Sequence, residues 1–505
     1  MTMNYARKTL IACVAALVVV PWATAAEKST DRPLNVLFLT ADDLHCESVG
    51  AFDGQPAGLT PNLDRLASEG MRFTRAHVNA AICQPSRGVL ATGRYGHNSG
   101  VMGFFHTNRD IPTIMETLGE HGYLTGVLGK VDHCTPKADY RWDFVHDQGE
   151  LGSGRDPERY YAYCKEFFER CRKEQKPFYL MVNSHDPHRP FHTAGRPIKG
   201  AAEPSKTYRP KDVPVPGFVP DLPGVRKELS HYLNSVRRCD DTFGRVLTAL
   251  KESGYEDNTI VVFLSDNGIA IPFAKCNTYL ASTRTPWIVR WPGAVAPGSV
   301  DCEHFISGID FFPTMVDALG LPVPKGLDGR SFAPLLRGEK QAGRDRVFTQ
   351  IDSKAGGAAV PMRCVQNDRF GYIYNAWSNG RYRYRNNNEG ATMKAMNQAA
   401  KNDPTIADRV HMFRYRVPEE LYDFKNDPDC LKNLIDQPDY RGEADKMRAE
   451  LAEWMKQSGD PLLPAFENRE SPEKVRAVLE RVYGSEALKE QWPKKKKEKR
   501  GRSGS

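Results

Sequence analysis

The sequence predicts an α/β sandwich, a large, mixed and mostly parallel sheet between helices, plus a smaller C-terminal α+β domain with an antiparallel sheet. Three observations predict it. Continuous apolar runs at 34–40, 124–128, 178–183 and 259–265 have the length of one strand and are apolar on both faces. Helical patterns alternate with them, notably 158–173 and 226–252, where Tyr232, Val236, Phe243 and Leu250 recur at helical spacing. Beyond about Gly343 the pattern changes, and 346–384 is rich in aromatic and strand-forming residues.

In chain order, Arg7 and Lys8, an apolar run over 10–20 and Ala23-Thr24-Ala25 read as a signal peptide, 1–25, so the mature protein is expected to be secreted or periplasmic. The run is short for a membrane span. The first strand, 34–40, exits into Ala41-Asp42-Asp43. Residues 60–66 look like a capped helix start with Pro61 at its first position, and 111–122 like another helix. Strand 124–128 exits into Gly129-Lys130-Val131-Asp132-His133, and strand 178–183 into Ser184-His185-Asp186-Pro187-His188. A Pro-rich loop, 204–223, precedes helix 226–252, and strand 259–265 exits into Asp266-Asn267-Gly268. A helix at 309–319 and a turn at 326–331 complete a catalytic domain over 34–343. The smaller domain, 344–460, adds a strand near 420–423 and a helix over 440–457. Residues 461–492 read as a helical extension and 493–505 as a basic disordered tail.

With 40% hydrophobic and 26% charged residues in 505, the composition is that of a globular protein. The net charge of +7 does not indicate a nucleic-acid-binding body: residues 494–505 hold seven basic residues and one acidic, leaving +1 for the rest. Of eleven cysteines, Cys13 leaves with the signal peptide. The others show no zinc spacing, and Cys164 and Cys171 share a helix face but stand too far apart to bridge easily.

The exits of the inner strands carry the chemistry. Ligands of open α/β sheets bind beyond the carboxyl ends of the strands, and here these ends offer Asp-Asp, Lys-x-x-His, His-Asp-Pro-His and Asp-Asn. Alone, an Asp-Asp pair reads as a solvated loop and Asn-Gly as a turn. If they face one point, Asp42, Asp43, Asp266 and Asn267 form an all-oxygen set that suits Ca²⁺, with Mg²⁺ second, and argues against Zn²⁺ or copper.

Residues 81–94, Ala-Ile-Cys-Gln-Pro-Ser-Arg-Gly-Val-Leu-Ala-Thr-Gly-Arg, place Cys83 before a Pro-Ser-Arg turn and a short helix. A helix start favours an anion, and Arg87 adds a fixed positive charge. Cys-x-Pro-Ser-Arg followed by Thr-Gly-Arg resembles the signature of the type I sulfatases, in which the cysteine is oxidised to Cα-formylglycine. The resemblance covers about 35–434. It implies an alkaline-phosphatase-like sandwich and a maturation enzyme that makes formylglycine from Cys83. It implies one Ca²⁺ held by Asp42, Asp43, Asp266 and Asn267 together with residue 83. The hydrated aldehyde would attack sulfur, and loss of its second proton would expel sulfate. Arg87 would hold the diol, Lys130 and Lys275 would grip sulfate oxygens, and His188, in Pro-His-x-Pro, would protonate the leaving group. His185 is a nearby second histidine. The family pattern Gly-Lys-x-His is broken here by Asp132, so the base role passes to His133.

Ser265-Asp266-Asn267-Gly268-Ile269, Thr278-Tyr279, His185-Asp186-Pro187-His188-Arg189 and Val360-Pro361-Met362-Arg363-Cys364-Val365-Gln366 more closely resemble the heparan N-sulfatases, or N-sulfoglucosamine sulfohydrolases. Tyr279-Leu280-Ala281-Ser282 departs from the Tyr-Glu-x-Gly of many O-sulfatases. The resemblance therefore implies hydrolysis of sulfate or sulfamate groups on a glycan, with a sulfated saccharide as substrate. The alternatives are an O-sulfatase acting on a sulfated polysaccharide, a phosphate or phosphonate ester hydrolase of the same superfamily, and a non-catalytic polyanion-binding protein that uses the basic tail. Neither nucleic acid nor stable membrane insertion is expected, and a homodimer stays open.

Overall fold

Leu37 and Leu39 point to one face of the first strand, Val36 and Phe38 to the other, and all four are buried. A strand covered on both faces needs no polar alternation, which is why 34–40 reads as a continuous apolar run. On one side Leu37 and Leu39 join a core with Phe167 and Phe168 of the helix Pro157–Glu174 and with Tyr232 and Phe243 of the helix Pro223–Glu252. On the other, Val36 and Phe38 join Met115 of the helix Ile114–Glu120 and Phe311 and Met315 of the helix Phe311–Ala318. The rings of Phe38 and Phe311 stack at 4.1 Å. Each such side chain contributes about 1.5–3 kcal/mol by leaving water.

The computed structural model describes residues 32–386 and 389–489. The signal peptide and basic tail expected from the sequence lie outside the described residues. The strands are β1 (Asn35–Asp42), β2 (Met71–Phe73), β3 (Ala76–His77), β4 (Leu124–Leu128), β5 (Phe144–His146), β6 (Phe178–Pro187) and β7 (Thr259–Ser265). They continue with β8 (Trp287–Arg290), β9 (Ser299–Asp301), β10 (Ile306–Ser307), β11 (Arg346–Ser353), β12 (Ala359–Asn367), β13 (Phe370–Asn375) and β14 (Glu419–Asp423). An eight-stranded sheet has the order β5-β4-β6-β1-β7-β8-β2-β9. From β5 to β7 every neighbouring pair is parallel, and β8 runs antiparallel to both β7 and β2. The four strands whose exits carry the candidate residues, β4, β6, β1 and β7, are therefore adjacent and parallel, and they release those residues at one sheet edge.

β11 to β14 form the antiparallel sheet. Met362, Cys364, Ile373 and Tyr422 face the first core, whereas Val365, Tyr372, Tyr374 and Leu421 face the helices Arg441–Gln457, Leu463–Glu467 and Pro472–Ala487.

Two local expectations change. The helix Pro61–Glu69 begins at Pro61, but Thr60 makes no capping bond. Its first N–H groups are satisfied from a distant helix, where Asp240 accepts from Asn62 N at 3.1 Å and Leu63 N at 2.9 Å. Cys83 does not precede its helix but opens it, at the start of Cys83–Thr92. No helix among the described residues is long and apolar enough to cross a membrane.

Candidate active site

Cys83 is buried at the helix start, where its Sγ donates to Asp42 Oδ1 at 3.3 Å and receives a bond from Lys275 Nζ at 2.9 Å. Asp42 ends β1, and Asp43 follows it with φ +71, a left-handed backbone that turns its carboxylate back over the sheet edge. Lys130 contacts Asp42 and Lys275 contacts Asp43, so each carboxylate has its own ammonium. From β7, Asp266 Oδ1 accepts from Asp43 N at 3.1 Å, and Asn267 Nδ2 donates to Asp43 Oδ1 at 2.7 Å. One oxygen each of Asp42, Asp43 and Asp266 lie within 4.8 Å of one another.

Arg87, one turn into the helix, reaches behind this group. It grips Asp266 Oδ2 through Nε at 2.9 Å and Nη2 at 2.7 Å, and its Nη1 donates to Thr40 Oγ1 at 2.7 Å and Asn183 Oδ1 at 2.6 Å. Every nitrogen of the fork is thus committed to orienting the cluster.

Lys130 is aimed by the turn before it. Gly129 has φ +71, and a Cβ there would lie 2.5 Å from the Asn183 carbonyl oxygen, so only glycine lets β4 leave so close to β6. The short helix Val131–Cys134 then sends the next two polar residues in opposite directions. Asp132 is 72% exposed and pairs with His106 at 3.2 Å. His133 turns inward, its ring edge-on to Phe104 at 5.5 Å between centroids.

His188 is held by its Nδ1, 2.6 Å from the Arg189 carbonyl oxygen. A carbonyl only accepts, so Nδ1 carries the proton and Nε2 faces the cluster, 3.9 Å from Asp43 Oδ2. His185 instead packs against Gly154, where a Cβ would meet its ring. Cys83, His133, His188, Lys275, Phe104 and Lys354 line one cavity of about 210 Å³. A larger cavity of about 430 Å³, walled by His45, Phe52, Phe218 and Tyr232, contains none of the candidate catalytic or metal-ligating residues. Converging donors, not volume, mark the site.

Burial opposes every charge here, and the neighbours decide the outcome. Burial would raise the Asp42 carboxyl, but Lys130, His188, Lys275 and Arg87 hold it well below the usual range. Burial raises Asp266 despite Arg87. Burial, then Asp42, pushes the Cys83 thiol well up, so an unmodified Cys83 stays protonated and is a poor nucleophile. Burial, then Lys130 and Arg87, lowers His133 to about 3, which keeps it neutral. Burial also lowers His188, against the pull of Asp42 and Asp43.

The carboxylates fit a hard cation. Asp43 Oδ2 and Asn267 Oδ1 are buried without a hydrogen-bond donor, and the set is all oxygen apart from Cys83. The residues not foreseen from sequence are Thr40 and Asn183, which anchor Arg87, and Phe104 and Lys354, which wall the cavity. A polar side chain at the end of an otherwise apolar strand run was the available signal for Asn183. None existed for Lys354, which arrives with the β11–β12 turn.

Comparison with known proteins identifies the family. Residues 34–321 match the Sulfatase family, and residues 272–406 match the family described as N-sulphoglucosamine sulphohydrolase, C-terminal. Human N-sulphoglucosamine sulphohydrolase is 31% identical over 89% of this chain and 94% of its own length. An ulvan-active sulfatase of Formosa agariphila is 27% identical over 86% of this chain and 83% of its own. Among solved structures, a protein in complex with its substrate D-glucosamine-2-N,6-O-disulfate superposes with TM-score 0.64 at 22% identity, covering 85% of this chain and 99% of that one. The phosphonate monoester hydrolase of Agrobacterium radiobacter superposes with TM-score 0.61 at 20% identity, covering 85% and 96%. The chain belongs to the sulfatase family, whose members hydrolyse sulfate esters or sulfamates.

Proposed function

We propose that this sulfatase removes the N-sulfo group of a glucosamine residue in a sulfated glycan. The observation that carries this specificity is the match of residues 272–406 to the N-sulphoglucosamine sulphohydrolase C-terminal family, supported by the human relative of that name. Asp42, Asp43, Asp266 and Asn267, with residue 83, would hold one Ca²⁺, and Cys83 would be matured to formylglycine by a separate enzyme. The bound cation would supply Lewis acidity, and the matured side chain a hydrated aldehyde as nucleophile.

The chain's own residues do the rest. Three carboxylates, Asp42, Asp43 and Asp266, stand against three bases, Arg87, Lys130 and Lys275, so a dication leaves the site positive and selective for an anion. Lys130 and Lys275 reach from opposite sides and would clamp the sulfo oxygens as point charges. Arg87 fixes Asp266. His133, neutral, would take a proton from the nucleophile, and His188, protonated at both nitrogens, would deliver the Nε2 proton to the departing nitrogen or oxygen and keep the Nδ1 proton on the Arg189 carbonyl.

A second reading, an O-sulfatase acting on a sulfated polysaccharide, is favoured by the similarity to the ulvan-active sulfatase. Sulfate release by the matured, Ca²⁺-loaded protein from N-sulfoglucosamine and from 6-O-sulfated N-acetylglucosamine separates the two. Faster release from the first is expected. Release from the O-sulfated sugar alone would transfer the assignment to the second reading, and release from neither would end both.

A further inference from the structure

The loop that carries Lys275 is held from outside the large sheet. Phe273 and Cys276 flank the lysine with φ +67 and +64, left-handed conformations that non-glycine residues adopt only when their surroundings impose them. Cys276 N donates to Ala81 O at 2.7 Å, which ties the loop to the segment just before Cys83. The opposite side of the loop is gripped by residues beyond β13. Tyr384 Oη donates to Cys276 O at 2.8 Å. Arg416 Nη2 donates to Asn277 Oδ1 at 2.7 Å, and the Asn277 amide in turn donates to Ala274 O at 3.1 Å and Lys275 O at 3.2 Å. Arg416 also contacts Tyr279, whose hydroxyl donates to Glu420 Oε2 at 2.6 Å. Tyr384, Arg416, Tyr279 and Glu420 are all buried.

We propose that Tyr384 and Arg416 are positioning residues for the sulfo group, acting through the backbone of the Lys275 loop. The proposal rests on the reading of Lys275 as a sulfo-binding group. Their bonds end on Cys276, Asn277 and Tyr279, not on the ammonium itself. What they fix is the point from which the flexible lysine stem starts. With the loop so fixed, Nζ stands 2.9 Å from the Cys83 sulfur. Displacing such an anchor by about 1 Å is enough to cost an order of magnitude or more in binding or rate. The C-terminal part of the chain is thereby an integral component of the anion site and not only a packing partner of the large sheet.

The test measures binding of inorganic sulfate by calorimetry to the Ca²⁺-loaded full chain, together with KM, kcat and melting temperature. Lys275→Ala sets the scale by removing the charge. Tyr384→Phe removes one hydroxyl and keeps the ring packed on Trp377 and Phe413. It should weaken sulfate about tenfold and raise KM by a similar factor, with kcat changed less. Arg416→Lys keeps the charge but loses the fork, and should give at least as large a loss. Unchanged sulfate affinity in Tyr384→Phe and Arg416→Lys, with only a lowered melting temperature, would overturn the proposal. If Lys275→Ala itself binds sulfate normally, the underlying reading of Lys275 fails instead.

Discussion

The ammonium of Lys275 lies 2.9 Å from the Cys83 sulfur and also contacts the Asp43 carboxylate, so one side chain spans the helix start and the strand end. Residue 83 shares its cavity with Lys275, His133 and His188, three of the groups proposed to act on the sulfo anion. Cys83→Ala should lower sulfate release by at least about a thousandfold while leaving the melting temperature nearly unchanged. In the wild type, the peptide containing residue 83 should show the mass of the aldehyde. An active preparation in which that peptide carries only a thiol would refute the assignment.

Cation removal gives an independent check. Asp43 Oδ2 and Asn267 Oδ1 lack hydrogen-bond donors, so a bound Ca²⁺ adds contacts that the folded chain alone does not make. Chelation should lower the melting temperature, and Ca²⁺ should restore it. Asp43→Asn should abolish the Ca²⁺-dependent rise, which differential scanning calorimetry reads directly.

Asp132 and His133 are neighbours with opposite fates. Asp132 is 72% exposed in a surface pair with His106, whereas His133 faces the cavity. His133→Ala should reduce kcat by about 10²–10⁴-fold. Asp132→Ala should change it less than about twofold, because exposed pairs contribute little. The reverse order in steady-state kinetics would return the role to Asp132.

Stability should depend on His77, a residue with no part in the proposed chemistry. Its ring sits 3.0 Å from Thr283 Oγ1, and burial, reinforced by Arg284, lowers it from 6.5 to about 3. Below pH 6.5 the unfolded chain takes a proton that the folded chain refuses. The contribution of this group is therefore complete above pH 6.5 and is lost progressively as the pH falls toward 3. Between pH 7 and pH 5 it amounts to about 2 kcal/mol. Urea unfolding of His77→Gln should show a pH dependence smaller by that amount.

Arg363 is buried between Asp352 Oδ1, 2.9 Å from Nη2, and Asp460 Oδ2, 2.5 Å from Nε, joining the antiparallel sheet to the turn after the helix Arg441–Gln457. Arg363→Met leaves two buried carboxylates uncompensated and should destabilise by about 3–5 kcal/mol in chemical denaturation.

The inner strands were legible because burial on both faces writes a run such as Val36-Leu37-Phe38-Leu39 that no surface segment tolerates. Their exits were legible because Asp42, Lys130, His188 and Asp266 sit immediately beyond such runs. The rest depends on contacts distant in sequence. The short outer strands, such as Met71–Phe73, are too brief to show periodicity. The helices Gly390–Ala399 and Pro404–Tyr415 fully bury only a few of their residues and carry few apolar repeats. Asp240 caps a helix through Asn62, 178 residues before it. Which way His133 and Asp132 point is set by the left-handed turn at Gly129 and Lys130, which Asp132 in the family's histidine position obscured.

The burial of Cys83 bears on the order of events in the cell. Only 2% of this residue is accessible once the chain has folded, and Asp42 and Lys275 close over its sulfur. No second protein can bring its own reactive groups to an atom so enclosed. The maturation proposed for it must therefore happen while residues 81–94 are still an open peptide, so the enzyme would be armed before it folds.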